Sequence, residues 1–262
     1  MYAEERQAHI EAVLASSGRV VVAEIARHLD VTSETVRRDL DQLETRGILR
    51  RVHGGAVAPS RASRVEASLI ERRDRNTAAK DRIALAAMQL VPPSFTGSIA
   101  IDAGTTTGLL AQRLVRWTPD TPGRSLVVIT HSTLVATTVS ENPAIEVLLL
   151  GGRLRGITGA AVGATTLAQL ATVRPDIAFI GTNGLHAEFG LSTPDTDEAA
   201  VKGALTTGAR RAVALADASK LGEATLVRFA TLTDIDTLIT EATPDTELHT
   251  ALDLADVEVL VA

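Results

Sequence analysis

Apolar residues near the start of the chain recur at helical spacing. Val36, Leu40 and Leu43 are four and three positions apart, which places them on one stripe of a helix that faces a core. Ile25 and Leu29 mark a shorter amphipathic helix before it, and the residues between the two suit a tight turn. The pattern therefore predicts a helix-turn-helix unit.

The start of the second predicted helix carries side chains that suit DNA contacts. Its first turn contains Glu34, and a negative charge is favourable at that position. In such a unit the second helix enters the major groove with its N-terminal residues towards the bases. Arginine binds guanine or phosphate through two hydrogen bonds, and hydroxyls suit bases or phosphates. The candidate DNA contacts on this helix are Thr32, which is also placed to cap it, and Ser33, Thr35, Arg37 and Arg38.

The segment after this helix predicts a β-hairpin. Residues 48–52 suit a short strand, and the glycine pair that follows supplies a tight turn. The basic residues of this predicted wing are Arg50, Arg51 and His53, which would contact the phosphate backbone or the minor groove. A helix pair alone is usually packing, and an arginine pair is usually a solvated face. The full order of turn, capped helix, arginine pair and basic hairpin favours DNA binding.

Short apolar runs alternate with helical stretches over the rest of the chain. The predicted strands are residues 98–102, 126–130, 145–150, 177–181, 211–216, 237–240 and 257–261. The predicted helices are residues 78–90, 106–115, 134–140, 167–172 and 198–209. This alternation is typical of an α/β fold with a parallel-rich sheet buried on both faces. We therefore expect a winged helix-turn-helix domain at 1–57, a linker at 58–76 and an α/β domain at 77–262.

Charge and composition limit the possible functions. The 262 residues carry a net charge of −6, but residues 1–75 hold 13 basic and 12 acidic side chains, so the acidic excess lies in the C-terminal part. Attraction to phosphate is therefore expected to be local and sensitive to salt. The chain has no cysteine, which excludes disulfides, a thiolate nucleophile and cysteine-bound metal, and we expect no metal or cofactor. No signal pattern and no apolar run of about 18 residues is present, so we expect a cytoplasmic protein without a membrane partner.

A glycine and threonine loop follows the first predicted strand of the sheet. Its sequence is Asp102-Ala103-Gly104-Thr105-Thr106-Thr107-Gly108, and it leads directly into a helix. Ligands of open α/β sheets bind outside the carboxyl ends of the strands, and a helix start supplies free amides and a positive dipole end. The loop has the outline of a phosphate cradle, although a helix cap with a polar first turn accounts for the same residues. It lacks the ending of a Walker A loop.

Four more loops follow predicted strands, at residues 130–132, 151–153, 181–184 and 216–222. In the last of them, Lys220 can neutralise a phosphate or carboxylate and Asp217 can accept from a sugar hydroxyl. Together the loops favour a small polyhydroxylated anion as ligand. His131 suits a ligand contact or a hydrogen-bonded structural role.

Glu198 and Lys202 stand four positions apart on a predicted helix. They suit either a surface ion pair or a role in the ligand pocket.

Two groups of motifs resemble one known family over nearly the whole chain. Residues 32–40 (TSETVRRDL) and 51–56 (RVHGGA) resemble the signature of DeoR-type, also called GlpR-type, bacterial transcription regulators. The loops DAGTTT at 102–107, GTNGL at 181–185 and DASK at 217–220 agree with the effector domain of that family. The resemblance implies a winged helix joined to a Rossmann-like domain similar to sugar-phosphate isomerases and coenzyme A transferases.

The resemblance also implies a function. Family members repress operons for sugar uptake and catabolism, release DNA when a phosphorylated sugar binds, and form dimers or tetramers. The phosphate is then expected on residues 104–107, with Asp102, Lys220, Glu198 and Lys202 around the sugar. The candidate effector-binding residues, loop positions included, are Asp102, Gly104, Thr105, Thr106, Thr107, His131, Gly152, Asn183, Glu198, Lys202, Asp217 and Lys220.

Departures from the common family pattern leave the sugar open. Ala103 stands where serine is frequent, His131 where asparagine is frequent, and Leu221 where phenylalanine often follows the lysine. Fructose phosphates are a first hypothesis, because the opening MYAEERQ is similar to that of regulators associated with fructose use.

Two other function classes remain open. The second domain could be a working isomerase-like enzyme with a DNA-binding appendage, because aspartate, glutamate and lysine suffice for proton transfer on a sugar phosphate. An architectural protein would bind DNA without regard to sequence and would have no ligand.

Overall fold

A computed structural model describes residues 3–17, 19–46, 48–52, 54–57 and 69–262. The chain divides into two compact units, Met1–Val65 and Glu66–Ala262.

The N-terminal unit is a winged helix-turn-helix. Its elements are α1 (Ala3–Ser17), β1 (Arg19–Val21), α2 (Val22–His28), α3 (Ser33–Thr45), β2 (Arg50–Val52) and β3 (Gly55–Val57). The strands form an antiparallel sheet in the order β1-β3-β2. The predicted apolar stripe of α3 is fully buried, as are Ile25 of α2 and Ile10 of α1. The predicted helix pair and hairpin are confirmed, whereas α1 and β1 were not predicted.

The C-terminal unit is a doubly wound α/β domain. Its helices are α4 (Leu69–Asp74), α5 (Thr77–Met88), α6 (Thr105–Leu114), α7 (Thr133–Val139), α8 (Ala164–Leu170), α9 (Thr196–Gly208) and α10 (Thr246–Leu254). Its main-sheet strands are β4 (Gly97–Ile101), β5 (Leu126–Thr130), β6 (Ile145–Leu149), β9 (Ile177–Gly181), β12 (Arg211–Leu215), β14 (Thr237–Thr240) and β15 (Glu258–Val261). All seven predicted strands are present, with ends within one residue of the prediction.

The order of the seven parallel strands places a ligand site. It is β15-β14-β12-β9-β4-β5-β6, so the chain leaves β4 in one direction along the sheet and returns to its other side at β9. Such a reversal opens a crevice at the carboxyl ends of the two central strands. Asp102 and Gly181 stand at those two ends.

Side chains on the central strands alternate between two cores. On β4, Ile99 and Ile101 pack with α5, α6 and α7, whereas Ala100 packs on the opposite face. On β9, Phe179 and Ile180 divide in the same way. Burial of the sheet on both faces explains the nearly continuous apolar runs in the sequence.

Further strands lie outside the main sheet. A hairpin pairs β7 (Arg153–Arg155) with β8 (Ala160–Val162), and a small antiparallel sheet joins β10 (Gly184–His186), β11 (Gly190–Thr193) and β13 (Val227–Ala230). These strands, α4 and α10 were not predicted. Helix α4 lies inside the range 58–76, so residues 69–74 of the expected linker are helical.

Candidate DNA-binding and effector-binding sites

The start of α3 is capped by a pair of threonines. The backbone N–H of Thr35 donates to the hydroxyl of Thr32 at 3.2 Å, and the two hydroxyl oxygens lie 2.9 Å apart. The cap predicted from the sequence is therefore present. Any DNA contact by these two hydroxyls has to share them with the cap.

The exposed side of α3 carries the arginine pair. Arg37 and Arg38 both lie on the surface, and a guanidinium nitrogen of Arg37 lies 3.5 Å from the carboxylate of Glu34 one turn earlier. An exposed ion pair at this distance contributes little to stability, so it would not prevent Arg37 from binding a phosphate group.

Polar contacts fix α1 against α3. The guanidinium of Arg6 donates to both carboxylate oxygens of Asp39, at 2.7 and 3.1 Å, and Asp39 is 3% exposed. This hydrogen bond raises the pKa of Arg6. Gln7 donates to Gln42 at 2.7 Å and accepts from Arg46 at 2.9 Å. These contacts set the position of the helix that carries Arg37 and Arg38.

A glycine allows the wing to pair with β1. A Cβ on Gly55 would lie 2.0 Å from the carbonyl oxygen of Val20, so only glycine fits between the strands. The predicted wing contact His53 and the side chains of Arg50 and Arg51 lie outside the described part of the chain.

At the centre of the sheet, three predicted effector residues contact one another. The carboxylate of Asp102 accepts from the ammonium of Lys202, from the backbone N–H of Gly181 at 3.0 Å, and lies 3.1 Å from Nε2 of His131. The Lys202 ammonium also donates to the Gly181 carbonyl at 2.9 Å. Nδ1 of His131 lies 2.9 Å from the Ala161 carbonyl oxygen.

This cluster is closed to solvent, since Asp102, His131 and Lys202 are 0%, 1% and 3% exposed. Burial raises the pKa of the Asp102 carboxyl, but the charge of Lys202 and the His131 contact outweigh burial and hold that pKa below its ordinary value. Asp102 is therefore an ionised, hydrogen-bonded carboxylate that ties the end of β4 to the end of β9 and to α9.

Glu198 and Lys202 do not pair with each other. Glu198 is 2% exposed; its carboxylate accepts from a guanidinium nitrogen of Arg155 at 3.0 Å and from the hydroxyl of Thr158. Arg155 also lies 3.2 Å from Asp195. The surface ion pair that the sequence allowed between Glu198 and Lys202 is therefore absent. The two residues lie one turn apart on α9 and make separate buried contacts, Glu198 with Arg155 and Thr158 and Lys202 with Asp102.

The threonine loop forms the start of α6. Gly104 is the N-cap residue, and no side chain caps the helix. The hydroxyl of Thr107 is fully buried and has no hydrogen-bond partner within the described residues. That hydroxyl lies 3.0 Å from where a Cβ on Gly104 would stand, so it faces the N-terminus of the helix. Thr106 is also buried, at 7% exposure.

An open cavity of about 140 Å³ lies beside this helix start. Gly104 and Thr105 of the predicted set line it. The other lining residues, which the sequence analysis missed as a ligand site, are Arg73, Thr77, Gly108, Leu109, Gln112 and Leu134. An arginine run before the first sheet helix was visible in the sequence, but it matched the composition of a linker.

The lysine loop after β12 contacts the start of α5. Asn76 donates to a carboxylate oxygen of Asp217 at 2.9 Å, and Ser219 donates to the same oxygen. Burial raises the pKa of Asp217, but Ser219, Lys220, Asn76 and Lys80 together hold it below the ordinary value. The ammonium of Lys220 has no partner in the part of the chain that the structure describes.

Two further predicted residues have contacts of their own. A Cβ on Gly152 would lie 2.1 Å from the Thr166 hydroxyl, so this glycine is needed for the turn between β6 and β7. The amide oxygen of Asn183 accepts from the Thr193 hydroxyl at 3.0 Å.

Two domain families match the chain along its length. The DeoR-like helix-turn-helix domain matches residues 6–62, and the DeoR C terminal sensor domain matches residues 75–242. The chain belongs to the DeoR family. It is a transcriptional regulator with an N-terminal DNA-binding domain and a C-terminal sensor domain.

Curated relatives match this DeoR-family regulator over most of its length. It is 35% identical over 258 residues to the HTH-type transcriptional regulator GlpR of Haloferax volcanii, which covers 98% of this chain and 97% of the relative. It is 29% identical over 240 residues to the glycerol-3-phosphate regulon repressor of Escherichia coli, with 92% and 91% covered. Ribose 5-phosphate isomerase A from Neisseria gonorrhoeae is similar with a TM-score of 0.36 and 15% identity, over 54% of this chain and 52% of that chain. A structural similarity this low carries no argument about function.

None of the described helices is long and apolar enough to cross a membrane. The described residues contain no group of three or more histidine, aspartate or glutamate side chains placed to hold a metal ion.

Proposed function

We propose that this protein represses an operon for sugar uptake or catabolism and leaves its operator when a phosphorylated sugar binds the sensor domain. The observation that carries the proposal is the start of α6. It combines an uncapped helix N-terminus, a glycine at the N-cap and a buried, unpartnered hydroxyl on Thr107, beside an open cavity.

A phosphate group satisfies this helix start. Backbone N–H groups in the first turn point at the site and have no partners inside the helix, and the helix dipole adds partial positive charge. The Thr107 hydroxyl faces the same helix start and has no partner among the described residues. Lys220 supplies a full positive charge at the same edge of the sheet, because β12 and β4 both end there.

We assign the buried cluster a supporting role. Asp102 and Lys202 are closed to solvent and use their polar atoms on each other, Gly181 and His131. They fix the ends of β4 and β9, and hence the direction in which the threonine loop leaves the sheet. Their effect on the effector is therefore positioning, and direct contacts come from Gly104, Thr105 and Lys220.

The same carboxylates argue for a sensor rather than an isomerase. A general base that works near neutral pH needs a carboxyl pKa raised towards that pH. The pKa values of Asp102 and Asp217 are both lowered, and Glu198 is bound to Arg155 and Thr158. An assay with pentose and hexose phosphates tests this point, and turnover would contradict the sensor assignment.

On the DNA side, we propose that Arg37 and Arg38 contact the major groove, that Ser33 supports them, and that Arg50, Arg51 and His53 of the wing contact the backbone. We also propose a dimer or tetramer, since paired recognition helices read two half-sites of an operator. Sedimentation of the full chain with and without operator tests the oligomeric state.

One experiment tests the switch. The operator is first selected from random-sequence duplexes with the full-length protein, and its affinity is measured by fluorescence anisotropy at fixed salt. A panel that includes fructose, glucose and glycerol phosphates is then added, with the unphosphorylated compounds as controls. We expect one phosphorylated compound to lower operator affinity and its parent sugar to have no effect. A phosphorylated compound that binds without changing operator affinity would contradict the proposal, and so would selection of no preferred sequence.

A further inference from the structure

The cavity at the start of α6 is lined in part by residues of α4 and α5. Arg73 of α4 and Thr77 of α5 line it together with Gly104 and Thr105. Arg73 is the one charged side chain among the described residues that line this cavity. Neither the sequence motifs nor the family comparison assigns it a role.

Neighbouring contacts hold the backbone around Arg73 in place. The ammonium of Lys80 on α5 is 4% exposed and donates to the carbonyl oxygens of Arg72 and Arg75, at 2.5 and 2.6 Å. The hydroxyl of Thr77 donates to the carbonyl oxygen of Arg73 itself at 3.0 Å. The last turn of α4 is thus bound to α5, and Arg73 is presented from a fixed position.

The Arg73 guanidinium is available for an anion. It is exposed, and within the described residues no carboxylate or carbonyl accepts from it. Arg113 of α6, by contrast, is paired with Asp81 at 2.7 Å. Gly104 and Thr105 at the start of α6 line the same cavity as Arg73.

We propose that Arg73 is a direct ligand of the anion that binds at the N-terminus of α6. The proposal rests on the proposed function, because the anion is the effector's phosphate. A planar guanidinium donates two parallel hydrogen bonds to phosphate oxygens that the α6 amides leave free. Helix α4 is the first described helix after the N-terminal unit along the chain. The bound phosphate therefore joins the sensor sheet to the segment through which the chain arrives from the DNA-binding unit.

The test uses the full chain and inorganic phosphate as the probe, followed by ³¹P NMR or calorimetry at low ionic strength. Four proteins are compared with the wild type: Arg73→Gln, Arg73→Lys, Thr107→Val and Arg82→Gln. Arg82 is a matched control, because it is an exposed arginine on α5 that does not line the cavity. Fluorescence of Trp117, the one tryptophan in the chain and buried in the sensor unit, checks that each variant is folded.

We expect Arg73→Gln to weaken phosphate binding about tenfold, as for loss of a charge-assisted contact. Arg73→Lys should weaken phosphate binding less than Arg73→Gln, since lysine keeps the positive charge but lacks the two parallel N–H donors of the guanidinium. Arg82→Gln should bind phosphate like the wild type. Suppose that Thr107→Val loses phosphate binding while Arg73→Gln binds phosphate as well as Arg82→Gln does. The anion site at the start of α6 is then supported, and the role of Arg73 is overturned. If the wild type itself binds no phosphate, the proposed anion site at the start of α6 is contradicted, and so is the role of Arg73.

Discussion

The ammonium of Lys202 on α9 donates a hydrogen bond to the carboxylate of Asp102, a residue 100 positions earlier at the end of β4. Both side chains are almost completely buried, and Gly181 at the end of β9 contacts each of them. The pair therefore connects α9 to the carboxyl ends of the two central strands. It also leaves the adjacent threonine loop in a defined position beside the cavity.

Replacing Asp102 by asparagine is expected to destabilise the sensor unit strongly. The substitution leaves the Lys202 ammonium buried without a counter-charge, and such losses cost about 3 kcal/mol. Glu258→Gln is the matched control, because it removes a carboxylate from a more exposed ion pair with Arg211 and should cost less than about 1 kcal/mol. Denaturant unfolding followed by Trp117 fluorescence measures both. Equal losses of unfolding free energy in the two variants would show that the buried Asp102–Lys202 pair contributes no more to stability than an exposed ion pair.

The stability of the sensor unit should fall in acid because of the same carboxylate. Asp102 has a lowered pKa in the folded state, so its contribution is fully present above the unfolded value of about 3.9. That contribution is lost as pH falls through the lower folded value. The difference in unfolding free energy between wild type and Asp102→Asn should therefore be constant near neutral pH and shrink below about pH 4. A difference that grows on acidification would contradict an ionised Asp102.

Arg38→Ala is expected to weaken operator binding about tenfold without unfolding either unit. Arg38 lies on the exposed side of α3, away from its buried apolar stripe, and loss of one base or phosphate contact has this size. Anisotropy titrations at several salt concentrations measure the change, and loss of a phosphate contact should also reduce the salt dependence. Arg116→Ala removes an exposed arginine from the sensor unit and serves as control. An equal effect from that control would argue for a nonspecific charge effect.

Lys220→Ala is expected to produce a repressor that binds its operator but is not released. The Lys220 ammonium has no partner among the described residues, and the affinity for a phosphorylated effector should fall about tenfold when its charge is removed. Arg174→Ala is the control, because Arg174 is exposed and precedes β9 at the opposite edge of the sheet. Thermal shifts with the effector and anisotropy with the operator separate the two functions. If the effector still releases Lys220→Ala from the operator as it does the wild type, Lys220 is not part of the effector site.

Some parts of the fold were beyond prediction from the sequence. Helix α1 has few apolar positions, among them Ile10 and Leu14, and much of its attachment to α3 is polar, as in the Arg6 contact with Asp39. Periodicity of apolar residues does not detect such a helix. The strands β7, β8 and β10 are three residues each, too short to give a period.

The sequence by itself determined the elements and the family. Burial on both faces makes each central strand an apolar run, a capped amphipathic helix shows in the spacing of Val36, Leu40 and Leu43, and these signals come from neighbours along the chain. Only the tertiary structure decided which charges pair. The tertiary fold brings Asp102 to Lys202 and Glu198 to Arg155. It also brings Asn76 to Asp217 and Arg73 to the start of α6. Electrostatic pairing depends on distance in space, and spacing along the chain does not encode that distance until the sheet order is known.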